Sequence, residues 1–229
     1  MLSLEEIKKN TGIYAADLVK QNMVIGLGTG STVYWLLQEL GKRIEQGLQI
    51  TVVPTSRQTE QLAKEAGLFV TNLDTIPGLQ LTIDGADEID PGGQMIKGGG
   101  GALLQEKIVA GASAELIIIA DNSKLVRQLG KFPLPVEVIP FGYKQVEQKI
   151  MLSGICKSVT LRKKNDKPFL TDHHHYILDC AYEKIEDAVS LNNSLHDIPG
   201  VVETGLFINM ASRAIVGYAD GRIESISYK

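Results

Sequence analysis

Residues 116–120, Leu-Ile-Ile-Ile-Ala, form an apolar run with no polar alternation, and residues 79–83 give a second short run rich in apolar side chains. Runs of this length are too short for a helix and fit strands covered on both faces. Strands buried on both faces belong to parallel sheets packed between helices. The first half of the chain keeps that rhythm. Residues 23–27 and 50–53 read as strands, and Val33, Leu36, Leu37, Leu40 and Ile44 recur at helical spacing to make one apolar face. Ser3 with Glu6 is a capping box that predicts a helix running through Ile7, Ala15 and Val19. Thr55 with Gln58 predicts another, opening a helix that stops at Gly67.

The pattern changes near Lys131. Pro133, Pro135 and Pro140 make residues 131–140 read as a rigid connection. Strands are then expected near 136–139, 158–161, 176–180 and 201–206, with helices near 143–152 and 186–196. That order is the ferredoxin-like split βαβ unit. Residues 214–218 and 223–227 read as strands that return to the first domain. The expected fold is thus α/β: a Rossmann-like, mostly parallel sheet domain (1–131 and 207–229) with an inserted ferredoxin-like α+β domain (132–206).

Composition narrows the function classes. A net charge of −4 over 229 residues argues against a nucleic-acid partner or an anionic membrane surface, though not against an anionic substrate. Cys156 and Cys180 are too few for a disulfide framework and sit in apolar stretches, so they read as buried thiols. No apolar run is long enough to span a membrane, and residues 1–20 lack a signal-peptide core, which predicts a cytoplasmic protein.

In open parallel sheets, ligands bind beyond the carboxyl ends of the strands, and five polar segments are expected there. Gly26-Leu27-Gly28-Thr29-Gly30-Ser31-Thr32 follows a strand and opens a helix, where bare backbone N–H groups and the positive helix end favour an anion. It matches neither the dinucleotide fingerprint nor a Walker A loop, and reads as a phosphate cradle or a tight turn. Asp84-Gly85-Ala86-Asp87-Glu88 closes another strand, as an acid/base cluster, a metal site or a solvated turn. It lacks the alternating oxygen ligands of a Ca²⁺ loop.

Lys97-Gly98-Gly99-Gly100-Gly101 places a cation beside bare N–H groups, a combination that stabilises negative charge on oxygen. A helix follows, and on it Glu106 has Leu103, Val109 and Ala110 as helical neighbours. Desolvation on that apolar shoulder should raise its pKa from about 4.3 toward that of a useful general base; the other reading is a surface glutamate in a fraying first turn. Lys124, in Asp121-Asn122-Ser123-Lys124, follows a further strand and reads as a lysine reaching a substrate at the sheet's end or as a solvated side chain. His173-His174-His175 cannot converge on one metal if extended and reads as an exposed hairpin turn. His196 ends a helix and shows no partner in the sequence.

A lysine-glycine loop, an acid cluster, a hydroxyl-glycine loop and a semi-buried glutamate together suggest proton transfer beside the carbonyl of a phosphorylated molecule. At this point the chain resembles the type A ribose-5-phosphate isomerases, in residues 26–32, 84–88, 95–107, 121–137 and 168–172. The resemblance covers essentially the whole chain, with motifs in order and at matching spacing. It implies interconversion of ribose 5-phosphate and ribulose 5-phosphate through an enediolate, without cofactor or metal. It implies that Thr29, Gly30, Ser31, Thr32, Asp84, Gly85, Ala86, Asp87, Lys97, Gly98, Gly99, Gly100 and Lys124 contact the pentose phosphate. Glu106 would be the proton acceptor, and Lys8 would lie near the phosphate. It further implies a homo-oligomer, dimer or tetramer. The sequence departs from the pattern where His173-His174-His175 replaces Asn-Gly-Asn, and where Arg57 and Gln58 follow the Thr-Ser pair. A non-catalytic sugar-phosphate sensor would need the phosphate loop but not Glu106. An acyl-CoA transferase would use a glutamate as nucleophile but needs a CoA site that is not visible here.

Overall fold

The structure, a computed structural model, describes residues 1–228. Along the chain run α1 (Leu4–Ala16), β1 (Val24–Leu27), α2 (Ser31–Glu45), β2 (Thr51–Pro54), α3 (Arg57–Glu65), β3 (Phe69–Val70), β4 (Leu81–Asp84), β5 (Glu88–Ile89), β6 (Met95–Ile96), α4 (Leu103–Gly111) and β7 (Leu116–Asp121). Then come β8 (Leu134–Val138), α5 (Tyr143–Leu152), β9 (Ser158–Leu161), β10 (Lys163–Lys164), β11 (Lys167–Pro168), β12 (Tyr176–Ala181), α6 (Ala188–His196), β13 (Val201–Thr204), β14 (Leu206–Phe207), β15 (Arg213–Gly217) and β16 (Ile223–Ser227). The chain divides into two compact units: residues 1–86, 105–125 and 210–229, and residues 87–104 and 126–209.

The first unit holds a seven-stranded sheet in the order β16-β15-β7-β4-β1-β2-β3, parallel throughout except for the β15–β16 pair. All six residues of β7 are buried, as the unbroken apolar run requires. Ile25, Leu27, Ile83, Ile117 and Ile119 pack with Leu36, Leu37 and Leu40 from the apolar face of α2. The capping box of α1 is present: Ser3 Oγ accepts the Glu6 N–H, and Glu6 Oε2 accepts the Ser3 N–H. The cap of α3 differs from expectation. It is Ser56, whose hydroxyl accepts the Thr59 N–H at 3.1 Å, rather than Thr55. Thr55 is fully buried and still bonded to the neighbouring strand, its N–H donating to Leu27 O at 2.9 Å, so the chain stays extended one residue longer.

The second unit contains a four-stranded antiparallel sheet in the order β13-β8-β12-β9. Numbered by their own sequence order these strands run 4-1-3-2, the ferredoxin-like arrangement, with α5 and α6 as the two crossovers. The stretch read as a rigid connection instead supplies β8, which begins at Leu134 and includes Pro135. A proline is unusual in an interior strand because it lacks an N–H. Here its carbonyl still accepts the Gly205 N–H at 2.7 Å, and β13 carries a register shift between Val201 and Glu203. The segment 87–104 was expected in the large domain. It groups with the second unit because β5, β6 and β14 form a small sheet of their own.

Cys156 and Cys180 are buried free thiols in the core of the second unit. His173 and His174 are exposed in the turn, but His175 is turned inward, its Nδ1 lying 3.0 Å from Glu137 Oε1. His196 does have a partner: Nε2 lies 2.9 Å from Glu203 Oε1. Among the described residues no helix is long and apolar enough to cross a membrane.

Candidate active site

In the first unit the strand order reverses beside β1. The chain moves outward through β2 and β3, then returns to β4 on the other side of β1. Loops diverge at such a switch point and leave a crevice at the carboxyl ends of the strands. Two candidate segments lie there. Asp84 ends β4 with no exposure, and its Oδ1 accepts the N–H of Thr29 at 3.1 Å and of Gly85 at 2.7 Å. Gly28 packs so closely on this carboxylate that a Cβ would fall 1.9 Å from Oδ1.

Gly30 occupies the N-cap of α2 with φ +130° and supplies no side chain to cap the helix. Among the described residues the N–H groups of Ser31, Thr32 and Val33 therefore remain open to an anion, at the positive end of a 15-residue helix. Ser31 is exposed, and Thr32 is 8% exposed. The Thr29 hydroxyl faces into the protein, within 2.8–3.1 Å of the hydroxyls of Thr55, Ser56 and Thr59. Thr59 in turn donates to Gly28 O at 2.8 Å. This hydroxyl cluster, which holds the glycine loop from behind, was not legible in the sequence beyond the Thr-Ser pair closing β2.

Glu106 lies in the first turn of α4 and is 3% exposed, next to buried Val109 and Ala110 on the same helix. Lys124 sits in the single turn after β7, half-buried, and its side chain makes no hydrogen bond or ion pair among the described residues. Asp121 caps that turn by accepting the Ser123 N–H at 3.0 Å. Lys8 is half-buried on α1 and likewise has no such partner among the described residues.

The second unit carries the lysine-glycine loop. Lys97 follows β6 with only 2% exposure, and its Nζ lies 5.3 Å from the centre of the Phe207 ring. Its N–H donates to Gly205 O at 2.9 Å, which ties the start of the loop to the segment before β14. Asp87 Oδ2 accepts the Gly99 N–H at 2.8 Å. Gly98 (φ +99°) and Gly101 (φ +86°) use backbone conformations that side chains rarely adopt, and a Cβ on Gly101 would meet the Phe169 ring at 2.5 Å.

The third acid of the cluster has a separate task. Glu88 is 3% exposed and accepts two backbone N–H groups, from Gly130 at 2.7 Å and Phe132 at 2.6 Å. Asp84, Asp87 and Glu88 thus face different partners, and no group of three or more His, Cys, Asp or Glu side chains among the described residues is arranged to hold a metal ion.

A family model described as "Ribose 5-phosphate isomerase A (phosphoriboisomerase A)" matches residues 51–221. A ribose-5-phosphate isomerase A of Bacillus mycoides is 55% identical over 216 residues, covering 94% of this chain and 97% of that protein. One from Bartonella bacilliformis is 45% identical and spans both chains completely. Among solved structures, the ribose 5-phosphate isomerase of Plasmodium falciparum superposes with a TM-score of 0.94 at 38% identity, over 98% of this chain and 99% of its own. A D-ribose-5-phosphate isomerase in complex with phospho-erythronic acid gives a TM-score of 0.94 at 36% identity, over 99% and 100%.

Proposed function

The chain belongs to the type A ribose-5-phosphate isomerases, and from that membership we propose that it interconverts ribose 5-phosphate and ribulose 5-phosphate through an enediolate, with Glu106 as the general base. The observation that carries the mechanism is the placement of a buried glutamate in the first turn of the helix that directly follows the Lys97–glycine loop. Carbon acids beside a carbonyl are weak, and a carboxylate removes their proton only if the developing oxyanion is stabilised. Lys97 and the loop N–H groups meet that need.

In this reading the phosphate sits on the open N-terminus of α2, at residues 28–32, helped by Lys8 or Lys124. Asp84 moves the proton that opens the furanose ring, and Asp87 orients a sugar hydroxyl. Glu106 then takes the proton from C2 of the open aldose and delivers one to C1, and Lys97 stabilises the charge that develops on oxygen. The relative solved with phospho-erythronic acid supports a phosphorylated sugar acid as a useful probe. Its carboxylate offers two coplanar oxygens, like an enediolate.

We also propose a cytoplasmic homo-oligomer, dimer or tetramer, acting in the non-oxidative branch of pentose phosphate metabolism without cofactor. A coupled assay with ribose 5-phosphate tests the activity. No ribulose 5-phosphate above the uncatalysed rate would overturn it.

A further inference from the structure

Arg162 follows β9 directly, and its side chain is 15% exposed. The guanidinium is engaged on two sides. Nε donates to Asp179 Oδ2 at 2.9 Å, while Nη2 donates to Oδ1 of the same carboxylate on β12. Such a fork fixes the plane of the guanidinium. Nη1 then reaches the lysine-glycine loop, donating to Gly98 O at 2.8 Å and Gly99 O at 3.1 Å.

Peptide geometry turns those two contacts into a statement about N–H direction. A trans peptide points its N–H opposite to its C=O. The Gly98 carbonyl and the Gly99 N–H share one peptide, and that N–H does face away from Arg162, toward Asp87 Oδ2 at 2.8 Å. The Gly99 carbonyl and the Gly100 N–H share the next. With its carbonyl also on Arg162, this peptide turns the Gly100 N–H away from the arginine, to the side on which Asp87 lies. Gly100 is exposed, and its N–H has no hydrogen bond among the described residues. In an extended strand successive peptides alternate. Here the two peptides meet at Gly99, inside the turn closed by the Gly101 N–H donating to Gly98 O at 3.0 Å, and with both carbonyls on Arg162 their N–H groups share the opposite side, an arrangement suited to an anion.

We infer that Arg162 is a positioning residue for the isomerisation. Through the Gly98 and Gly99 carbonyls it aims the Gly100 N–H at the substrate oxygen that gains charge in the enediolate. It acts through the loop and not on the substrate, because Asp179 and the loop engage four of its five N–H donors. Lysine cannot substitute, since one ammonium lacks the fork that holds Asp179 and both carbonyls together. The catalytic sense of this inference rests on the isomerase reading above. The holding of the loop does not.

The test pairs steady-state kinetics with amide hydrogen exchange at Gly99 and Gly101, whose N–H groups are bonded to Asp87 and to Gly98 O. Arg162→Lys should lower kcat by about 10-fold or more, less than the 10²–10³-fold typical of deleting an oxyanion donor outright. KM should stay within about threefold, because the donor acts mainly in the transition state. Exchange at both amides should accelerate. Asp179→Asn, which keeps the guanidinium but weakens its anchor, should fall between wild type and Arg162→Lys, and it carries the test alone if the lysine variant does not fold. Wild-type kcat in a folded Arg162→Lys enzyme overturns the inference. So does a kcat loss with unchanged exchange, or a loss expressed only in KM. An inactive wild-type chain removes the isomerase reading and with it the catalytic role. Exchange then decides separately whether Arg162 holds the loop.

Discussion

The N–H of Thr29 donates to Asp84 Oδ1 at 3.1 Å, across the point where the strand order of the large sheet reverses. The loop that follows β1 and the carboxylate that ends β4 are therefore one structural unit. Gly28 makes the approach possible, because the missing side chain leaves room for the Asp84 carboxylate. Binding of an anion on the loop and the position of the acid cannot be varied independently.

Gly28→Ala should therefore damage both. The new Cβ would lie 1.9 Å from Asp84 Oδ1 and 2.6 Å from its Cα, so the backbone of one segment must move. We expect stability to fall by about 1–3 kcal/mol, the usual cost of overpacking, and kcat to fall by about 10-fold or more. Denaturant unfolding and steady-state kinetics measure the two. An unchanged kcat would mean that the Thr29–Asp84 contact does not matter for turnover.

Thr32→Ala should act differently. Thr32 lies in the first turn of α2, where the phosphate is proposed to sit. Removing its hydroxyl takes away one hydrogen bond to a charged group, so KM should rise by about 10-fold or more with a smaller change in kcat. Unphosphorylated ribose should be a very poor substrate. Equal use of ribose and ribose 5-phosphate would remove the phosphate cradle from the account.

Lys97→Ala should lower kcat strongly, because its charge is most useful once the substrate oxygen becomes negative. A drop of about 10²-fold or more is expected, the scale of losing an oxyanion stabiliser. Lys97 is also buried against Phe207, so unfolding must be followed alongside. A raised KM with normal kcat would make Lys97 a binding residue only.

In the second unit, Asp187 caps α6, and its hydrogen bonds to Ser190 hold its carboxyl below the usual aspartate value. A depressed folded pKa means stability that is present above the unfolded value, about 3.9, and lost as pH falls through the folded one. Asp187→Asn keeps a cap without the charge. Its melting temperature should lie below wild type at pH 7, and the gap should close as pH falls through the lowered folded pKa of Asp187. A constant gap across that range would separate the cap from its ionisation.

Much of this was legible in the sequence, for physical reasons that differ from place to place. The run 116–120 could only be a doubly covered strand, and Ser3 with Glu6 could hardly avoid a cap, because both signals are local. The cap of α3 was misplaced by one residue because Thr55 and Ser56 are both good caps, and only the pairing of Thr55 with Leu27 decides between them. Pro135 looks like a breaker in the sequence because nothing local shows that it lies beside the end of β13, whose pairing stops at Thr204 opposite Val136. Arg162 left no trace at all. A single arginine after a short alternating strand looks solvated, and its grip on the glycine loop depends on contacts 63 and 64 residues away along the chain.

Glu106 gives the sharpest test, since a protein that only binds sugar phosphates has no need of a buried carboxylate there. Glu106 is 3% exposed in the first turn of α4, so little water competes for its proton. A proton taken from C2 resides briefly on the carboxyl group and can exchange with solvent before it is returned. Turnover in heavy water should therefore place deuterium on carbon. Glu106→Gln keeps the volume and the hydrogen-bonding reach but cannot accept a proton. It should lose isomerisation and carbon exchange together, by about 10²-fold or more, the usual scale of general-base catalysis. Binding of a stable sugar-phosphate analogue should persist, because the open end of α2 and Lys97 are untouched. If Glu106→Gln still isomerises at the normal rate, the base lies elsewhere, and Asp84 is the next group to remove. If isomerisation is lost but carbon exchange survives, proton abstraction has another owner and Glu106 serves a later step.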